Sequence, residues 1–306
     1  SSDTIRYGKN NGHQRYLCKD CLTTFSVGKR LDSNELWDLY QSGLSYEQLG
    51  CQFGVSSSTI KRRLRGIQEN YIAPKLSGGV VHLDVTYWGR NKGLILAIDS
   101  QSGVALYYQW IGHERKQDYI DAINSIENNG YKIQALVLDG GVGLEISKQR
   151  HLVQMCQYHF IAIIRRKLTL RPKLQASVEL LDLALSVTKT SKAKFSEGLI
   201  AWHNRWNDFL KEKTINPLTN RWQYTHRALR SAAQTFKEKL LFLFTFEDYP
   251  ELCIPNTNNA IEGFFTALKS SLRNHNGMTQ ANKERLVCGF LRHRGYRPSL
   301  VDDLGE

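Results

Sequence analysis

One glutamate lies on a predicted helical face that could hold a metal ion beside a phosphate. Residues 254–278 read IPNTNNAIEGFFTALKSSLRNHNGM, and the apolar residues recur at helical spacing after a turn-rich run at 256–259 that could supply N-cap oxygens. On the polar face, Glu262 is followed at helical intervals by Lys269 and Arg273. An acid beside two cations suits a metal-binding carboxylate that approaches a phosphodiester. A solvated amphipathic helix would give the same pattern.

Two aspartates upstream could also bind a metal ion. Asp84 lies inside the apolar run VVHLDVTY at Val80–Tyr87, a predicted buried strand in which a carboxylate is costly unless a cation or partner neutralises it. Asp139 follows the predicted strand Ala135–Leu138 and precedes two glycines, a position where α/β proteins commonly carry functional groups. A simple Asp-Gly turn would also explain Asp139. Three carboxylates could therefore meet at one divalent-cation site.

Two short motifs contain further metal-ligand residue types. Cys18 and Cys21 form a C-x-x-C followed by Phe25, a zinc-knuckle pattern that supplies half of the four ligands of a structural zinc site. A pair of thiols in a small loop is the alternative. Cys156 and His159 form the motif C-Q-Y-H, which could bind a metal, but no second pair is evident and a structural role is favoured.

The elements that would position the three acids follow an α/β order. Strands are predicted at Val80–Tyr87, Leu94–Ile98, Val104–Trp110 and Ala135–Leu138, with a helix at Arg115–Asn128 before the fourth strand. The chain from 167 to 255 is predicted to be wholly helical, and a last helix is predicted at Gln280–Arg294. The predicted fold class is therefore α/β with an α-helical insertion.

An all-α segment ahead of these strands has the pattern of a helix-turn-helix. Helices are predicted at Leu31–Gln41, at Tyr46–Phe53 and from Ser57, with a tight turn at 54–56. The third helix would lie in the DNA major groove, with hydroxyls near base edges or phosphates and cations along it. Its candidate DNA contacts are Ser57, Ser58, Thr59, Lys61, Arg62, Arg63 and Arg65. A plain helical hairpin is the alternative.

Charge and composition restrict the functional class. The 306-residue chain has a formal net charge of +12, which favours an anionic partner such as nucleic acid. Residues 162–250 hold 16 Lys/Arg against 8 Asp/Glu, whereas residues 81–161 hold 7 against 8. No apolar run approaches a membrane span, and no signal-peptide pattern is present. We therefore expect no membrane partner. Six widely spread cysteines do not indicate a disulfide framework, so we expect a reducing cytoplasm.

The order of these features resembles the ribonuclease-H-like DDE transposases. The shared features are the β-β-β-α-β pattern, the three acids and the helical insertion before Glu262. The C-x-x-H after the second aspartate and the N-N-x-I-E-G-F-F run around Glu262 are similar to the bacterial Mutator-like insertion-sequence branch. Residues 14–25 are similar to the end of the zinc ribbon that often precedes the helix-turn-helix in such proteins. The leading cysteine pair of that ribbon is absent, which leaves Zn²⁺ at Cys18 and Cys21 open.

The resemblance implies a nucleoid-associated bacterial enzyme that binds the terminal inverted repeats of its insertion sequence and then cleaves and transfers DNA strands. Asp84, Asp139 and Glu262 would hold two Mg²⁺ (or Mn²⁺) ions about 4 Å apart. Further contacts to double-stranded DNA are expected from Arg165, Arg166, Lys269, Arg273 and His275. Since two DNA ends must be paired, a homodimer or higher assembly is expected. A non-catalytic or domesticated helix-turn-helix regulator and a nuclease that does not join strands are the alternatives.

The expected domain bounds follow from these assignments. They comprise a partial zinc-ribbon segment at 1–30, a helix-turn-helix domain at 31–70, a linker at 71–79, a ribonuclease-H-like catalytic core at 80–166 and 256–306, and an all-helical insertion domain at 167–255.

Overall fold

The chain folds as two compact units. The structure, a computed structural model, describes residues 3–10, 13–26, 31–141, 143–144, 150–275 and 277–294. Unit 1 comprises the described parts of Ser1–Asn70 and Lys269–Phe290, and unit 2 those of Tyr71–Leu268 and Leu291–Glu306. The segment Lys269–Phe290, which the sequence placed in the catalytic core, thus packs in unit 1. Each helix in the described ranges is too short or too polar to cross a lipid bilayer.

Unit 1 begins with a small antiparallel sheet. Its strands are β1 (Thr4–Asn10), β2 (His13–Cys18) and β3 (Thr24–Ser26), in the order β1-β2-β3. The backbone N–H of Cys18 donates to the carbonyl oxygen of Thr23 at 3.0 Å, which closes the turn that carries Cys21.

Three helices follow at the positions the sequence predicts. They are α1 (Ser33–Gln41), α2 (Tyr46–Phe53) and α3 (Ser57–Arg65). Each helix has a side-chain cap, from Asp32, Ser45 and Ser56 respectively, which satisfies backbone N–H groups of its first turn. Gly54 ends α2 in the left-handed region at φ 67°, a conformation that glycine adopts at little cost. This glycine makes the tight turn into α3.

Unit 2 is built on a mixed five-stranded sheet. Its strands are β4 (Gly78–Tyr87), β5 (Gly93–Asp99), β6 (Ala105–Ile111), β7 (Lys132–Leu138) and β8 (Leu152–Met155), in the order β6-β5-β4-β7-β8. The pairs β4/β5 and β5/β6 are antiparallel, whereas β4/β7 and β7/β8 are parallel. The helix α4 (Lys116–Asn128) connects β6 to β7. The predicted α/β class and its four strands are confirmed, and β8 is an additional strand.

Helices cover one face of this sheet. They are α5 (Gln157–Leu168), α6 (Gln175–Ser186), α7 (Lys192–Trp206), α8 (Arg227–Leu243) and α9 (Thr245–Asp248), with short 3-10 turns at Val187–Lys189, Phe209–Lys211 and Pro250–Leu252. Together with α4 they share one apolar core with the sheet, in which Phe160, Phe195 and Phe236 are fully buried. A smaller cluster around Ile254 packs on Val80 and Val137. The sheet therefore has apolar packing from both clusters, as expected where it contains the parallel strands β4, β7 and β8.

The predicted all-helical insertion is wrong in one segment. Strands β9 (Lys213–Ile215) and β10 (Trp222–Tyr224) form an antiparallel hairpin between α7 and α8. The Oδ1 of Asn216 accepts from the backbone N–H of Leu218 at 2.9 Å, which is a turn that competes with helix. Pro217 disfavours helical continuation, and the β-branched and aromatic residues on either side favour strand.

Two further helices complete the described chain. The helix α10 (Asn259–Arg273) starts at the predicted turn, and α11 (Gln280–Arg294) has the predicted bounds. Within unit 1, Arg285 of α11 donates from Nη1 to the carbonyl oxygens of Leu64, Arg65 and Ile67 at 2.9, 3.1 and 3.0 Å. A cation at these carbonyls satisfies the last turn of α3 and is favoured by the helix dipole.

Candidate active site

Strand register puts Asp84 and Asp139 at the same level of the sheet. In the parallel pair β4/β7, His82 is opposite Val137. Asp84 comes two residues after His82, and Asp139 comes two residues after Val137. Because adjacent strands lie about 4.8 Å apart, the two carboxylates leave neighbouring backbones side by side. The structure thus brings the first two predicted acids together.

The next strand adds a thiol to the same edge. Leu138 of β7 is opposite Met155 of β8, so Cys156 follows β8 beside Asp139. The backbone N–H of Cys156 donates to the Leu138 carbonyl oxygen at 2.7 Å, which fixes this alignment. Cys156 directly precedes α5, and His159 lies in the first turn of that helix.

A buried asparagine holds the start of α10 against the sheet. Asn258 is 0% exposed, and its Oδ1 lies 2.8 Å from Nδ1 of His82, a geometry in which the imidazole N–H donates. Its backbone N–H donates to Sγ of Cys156 at 3.3 Å, and its carbonyl oxygen accepts from the backbone N–H of Glu262 at 3.1 Å. Asn258 therefore connects β4, the end of β8 and the helix that carries Glu262.

Burial and neighbouring charges at this edge raise the free-energy cost of ionising Asp84. Burial raises the pKa of Asp84 to about 7, and repulsion from Asp139 and, more weakly, Glu262 acts in the same direction. The Val85 backbone N–H, which donates to Asp84 Oδ1 at 2.7 Å, and the nearby His159 oppose this rise. Like charges gathered at a half-buried position are the condition that a bound cation relieves.

His159 is the cationic group of this cluster. A side-chain hydrogen bond with Cys156 raises the pKa of His159 to about 9; burial opposes this, and the charges of Asp139 and Asp84 support it. Its Nδ1 lies 3.7 Å from Oε1 of Glu262. The protonated imidazole therefore offsets part of the negative charge of the three acids.

The tightest group of metal-ligand atoms differs from the predicted one. Among the described residues, Cys156, His159 and Glu262 each bring one ligand atom to within 4.8 Å of the other two. The predicted acids are coupled electrostatically but do not form such a group in the described chain. The sequence favoured a structural role for Cys156 and His159 because it offered no further ligand. That ligand comes from α10, about a hundred residues away.

A fourth acid near the site was missed by the sequence analysis. Glu114, between β6 and α4, accepts a hydrogen bond from the Tyr119 hydroxyl at 2.7 Å. A Cβ at Gly141 would lie 3.3 Å from Oδ1 of Asp139 and 3.7 Å from Oε1 of Glu114, so the two carboxylates flank this glycine. Burial, then Glu114, Asp139 and Asp84, raises the pKa of Tyr119. The position of Glu114 after the third strand was the only available signal.

Most of the predicted DNA contacts are accessible. On α3, Ser58, Lys61, Arg62, Arg63 and Arg65 are exposed, and Ser57 and Thr59 are half-buried. The Thr59 hydroxyl lies 3.0 Å from the capping Ser56 hydroxyl, which ties it to the helix start. Arg165 and Arg166 are exposed in the last turn of α5. On α10, Arg273 is exposed and Lys269 is half-buried.

His275 is an exception, and its predicted phosphate contact is corrected. Its side chain is only 5% exposed and stacks on Tyr40 at a centroid distance of 4.0 Å. Burial lowers the pKa of His275, so the imidazole is neutral at pH 7. Because the ring packs against Tyr40 and is shielded from solvent, we place His275 in the core of unit 1 and not among the phosphate contacts.

Among the described residues, no further zinc ligands join the cysteine pair near the N-terminus. Cys18 is buried and Cys21 is exposed, and no disulfide forms among the six cysteines, all of which lie in described segments. No third His, Cys, Asp or Glu ligand joins these two residues within the residues that the structure describes. Zinc binding at Cys18 and Cys21 stays a prediction.

Comparison with known proteins gives only distant similarities. No family model matches the sequence, and no curated protein matches it. Solved structures with some similarity include a chain of a simian T-cell lymphotropic virus intasome in complex with PP2A regulatory subunit B56 gamma, at 12% identity, over 51% of this chain and 68% of that one, with a TM-score of 0.21.

Two Mos1 structures have similar values. The Mos1 strand transfer complex has 15% identity over 59% of this chain and 77% of that one, with a TM-score of 0.19. The Mos1 mariner paired-end complex with Mn has 13% identity over 71% and 80%, with a TM-score of 0.20. Scores this low carry no weight for function, which therefore has to be argued from the residues of the site.

Proposed function

We propose that this chain is a DDE transposase, similar to the Mutator-like branch, that cleaves the ends of its insertion sequence and joins them to target DNA. The observation that carries the proposal is the meeting of Asp84 and Asp139 on adjacent parallel strands, with Glu262 close enough to repel Asp84. The strand order β6-β5-β4-β7-β8 is the arrangement that a ribonuclease-H-like core requires.

The acidic cluster fits divalent cations. Asp84 is disfavoured as a carboxylate by burial and by two neighbouring acids, and positive charge would remove that penalty. Asp84, Asp139 and Glu262 would hold two Mg²⁺ or Mn²⁺ ions, since carboxylate oxygens are the ligands that these ions prefer. When bound, such ions lower the pKa of an attacking water or hydroxyl and stabilise the leaving oxygen.

The chain's own residues would hold and orient the DNA. The exposed cations of α3 would contact the terminal inverted repeats, and Arg165, Arg166, Lys269 and Arg273 would contact backbone phosphates near the cut. Asn258 would keep Glu262 at its distance from the aspartates through His82. In this proposal a homodimer or higher assembly pairs the two ends in the bacterial cytoplasm, and 31–70, 80–166 with 256–268, and 167–255 act as the DNA-reading, catalytic and insertion parts.

The test is cleavage of a plasmid that carries both DNA borders of the coding region, with Mg²⁺ or Mn²⁺. Asp84→Asn, Asp139→Asn and Glu262→Gln are each expected to abolish cleavage while leaving affinity for the border DNA within about two-fold, since only the carboxylate charge is removed. Asp182→Asn and Glu197→Gln, which change exposed helical acids of unit 2, are the matched controls. Cleavage retained by any of the three variants would contradict the proposal.

A second candidate is a helix-turn-helix regulator without catalysis. The exposed cations of α3 support it as well as they support a transposase. The same assay separates the two, because a regulator would bind the border DNA tightly and give no metal-dependent nick. A nuclease that does not join strands would give cleaved ends but no transfer product.

A further inference from the structure

We infer that Cys156, His159 and Glu262 form a binding site for a single Zn²⁺ ion, and that zinc bound there inhibits the chain by taking Glu262 away from the two aspartates. The zinc site rests on these three side chains alone. Only the inhibitory consequence rests on the proposed function. The inference concerns a thiolate-containing site and is separate from the carboxylate site for Mg²⁺.

The spacing of the three ligand atoms suits one small ion. A zinc ion lies about 2.0–2.2 Å from a histidine nitrogen or carboxylate oxygen and about 2.3 Å from a cysteine sulfur. In a tetrahedron these lengths put the ligand atoms roughly 3.3 to 3.6 Å apart. His159 Nδ1 and Glu262 Oε1 are already 3.7 Å apart, and all three ligand atoms lie within 4.8 Å of one another. Closing on zinc thus requires side-chain movements of about 1 Å or less, and the protons of the His159 imidazolium and the Cys156 thiol are released to solvent when the metal binds.

Two sources of positive electrostatic potential lie at the Cys156 sulfur. Cys156 is 0% exposed and occupies the N-cap position of α5, where the helix dipole stabilises negative charge. The backbone N–H of Asn258 donates to Sγ at 3.3 Å. The helix N-terminus and this N–H group are two fixed donors of positive potential, and a thiolate bound to zinc would benefit from both.

The ligand set selects zinc over magnesium. Mg²⁺ binds hard oxygen ligands in an octahedron, whereas thiolate and imidazole are preferred by Zn²⁺. Two of the three ligands here, Cys156 and His159, would contribute nothing to Mg²⁺ binding. Three protein ligands leave the fourth tetrahedral position for water, which is consistent with the half-exposed side chains of His159 (35%) and Glu262 (47%).

Glu262 is the link between this site and the acidic site. Its carboxylate lies near His159 and also contributes to the electrostatic environment of Asp84. A zinc ion bound to a Glu262 oxygen neutralises the carboxylate that would otherwise bind Mg²⁺ together with Asp84 and Asp139. Zinc at concentrations far below that of Mg²⁺ is therefore expected to stop strand cleavage.

Binding is tested on the full chain with Co²⁺ as a spectroscopic substitute for zinc, and with Zn²⁺ in competition. Wild type is expected to show a sulfur-to-cobalt absorption band that Zn²⁺ removes, and Cys156→Ser is expected to lose one equivalent of bound metal and the corresponding part of the band. Cys253→Ser, at an exposed cysteine outside the cluster, is the matched control and should behave as wild type. Since Cys156 is buried, Glu262→Gln provides a second variant at an exposed side chain, with zinc affinity expected to fall at least ten-fold.

Equal metal stoichiometry and an unchanged band in Cys156→Ser, or unchanged zinc affinity in Glu262→Gln, would overturn the site.

Inhibition is then tested by adding micromolar Zn²⁺ to cleavage reactions in millimolar Mg²⁺, with each variant normalised to its own zinc-free rate. Wild type and Cys253→Ser should be inhibited, and His159→Gln should resist inhibition at least ten-fold better. Zinc binding without inhibition would overturn the regulatory part. Absence of cleavage by the wild-type chain even without zinc would instead count against the proposed function and leave the cobalt result standing.

Discussion

The DNA-reading surface of α3 and the acidic edge of the sheet are assembled in opposite ways. The candidate contacts of α3 all lie between Ser57 and Arg65, on one helix with its own cap. The acidic edge draws residues from β4, β7, β8, α5 and α10, so that a hydrogen bond such as His82 to Asn258 joins positions 176 residues apart. A surface of the first kind depends on local composition, whereas a site of the second kind depends on strand register and on a few buried polar contacts.

Loss of one buried contact is therefore expected to disable the acidic edge without affecting α3. Asn258→Ala is expected to lower the cleavage rate about 10- to 100-fold, the usual effect of losing a group that orients a metal ligand. The variant also leaves the buried His82 N–H without its acceptor, which costs about 1–3 kcal/mol of stability. Initial cleavage rates, border-DNA affinity and urea unfolding are the measurements.

The matched control for this experiment is Asn259→Ala, at an exposed position at the start of α10. It should have little effect on any of the three quantities. A loss of stability in Asn258→Ala with an undiminished cleavage rate would mean that the asparagine serves the core and does not orient Glu262.

The converse change should disable α3 and leave the acidic edge intact. Replacing Arg62 and Arg63 together by Ala is expected to weaken binding of border DNA and to reduce the slope of log affinity against log salt by about 2, one phosphate contact for each arginine. The same loss of charge in Arg6→Ala with Lys9→Ala, on exposed strand β1, is the control. Equal slopes in the two double variants would contradict an interface on α3.

The same contrast explains which features the sequence revealed. Bounds of α2 and α11 were predicted correctly because apolar period, caps and a terminal glycine act within each helix. The strand β8 was missed because four residues, LVQM, provide too little alternation to separate a strand from the start of a helix. The hairpin β9/β10 was missed because short strands of three residues are set by their turn and not by a period.

The site was predictable only where a residue was unusual in its own segment. Asp84 interrupts an apolar strand and Asp139 follows one, so both could be found locally. The grouping of His159 with Glu262, and of Glu114 with Asp139, arises from packing between elements far apart in sequence. His275 was misassigned because its neighbours Lys269 and Arg273 are polar, while the ring itself packs on Tyr40.

The burial of His275 has a pH consequence in unit 1. Because burial lowers its pKa below the ordinary value of 6.5, the unfolded chain binds the proton more readily than the folded one. Its contribution to stability is therefore complete above about pH 7 and is lost as the pH falls from 6.5 toward the folded pKa. Glu47 and Lys61 line the same pocket of about 320 Å³ as His275.

The measurement is the urea midpoint at pH 7.5 and pH 5.5. Wild type should lose more stability between these two values than His275→Gln, which cannot take up the proton. His113→Gln, at an exposed loop position, should keep the wild-type difference. An identical pH dependence in wild type and His275→Gln would contradict the burial of His275.

The smallest expected effect concerns Gly263, which follows the proposed catalytic glutamate. A Cβ at this position would meet no atom within 4 Å, and Gly263 lies in the interior of α10, where glycine is roughly 1 kcal/mol less favourable than alanine. Gly263→Ala should therefore raise stability by about 0.5–1 kcal/mol. If the open space beside Glu262 is where the DNA backbone approaches, the same variant should cleave more slowly although it is more stable. A variant that gains stability and keeps its full cleavage rate would mean that the DNA reaches Glu262 from another side of the helix.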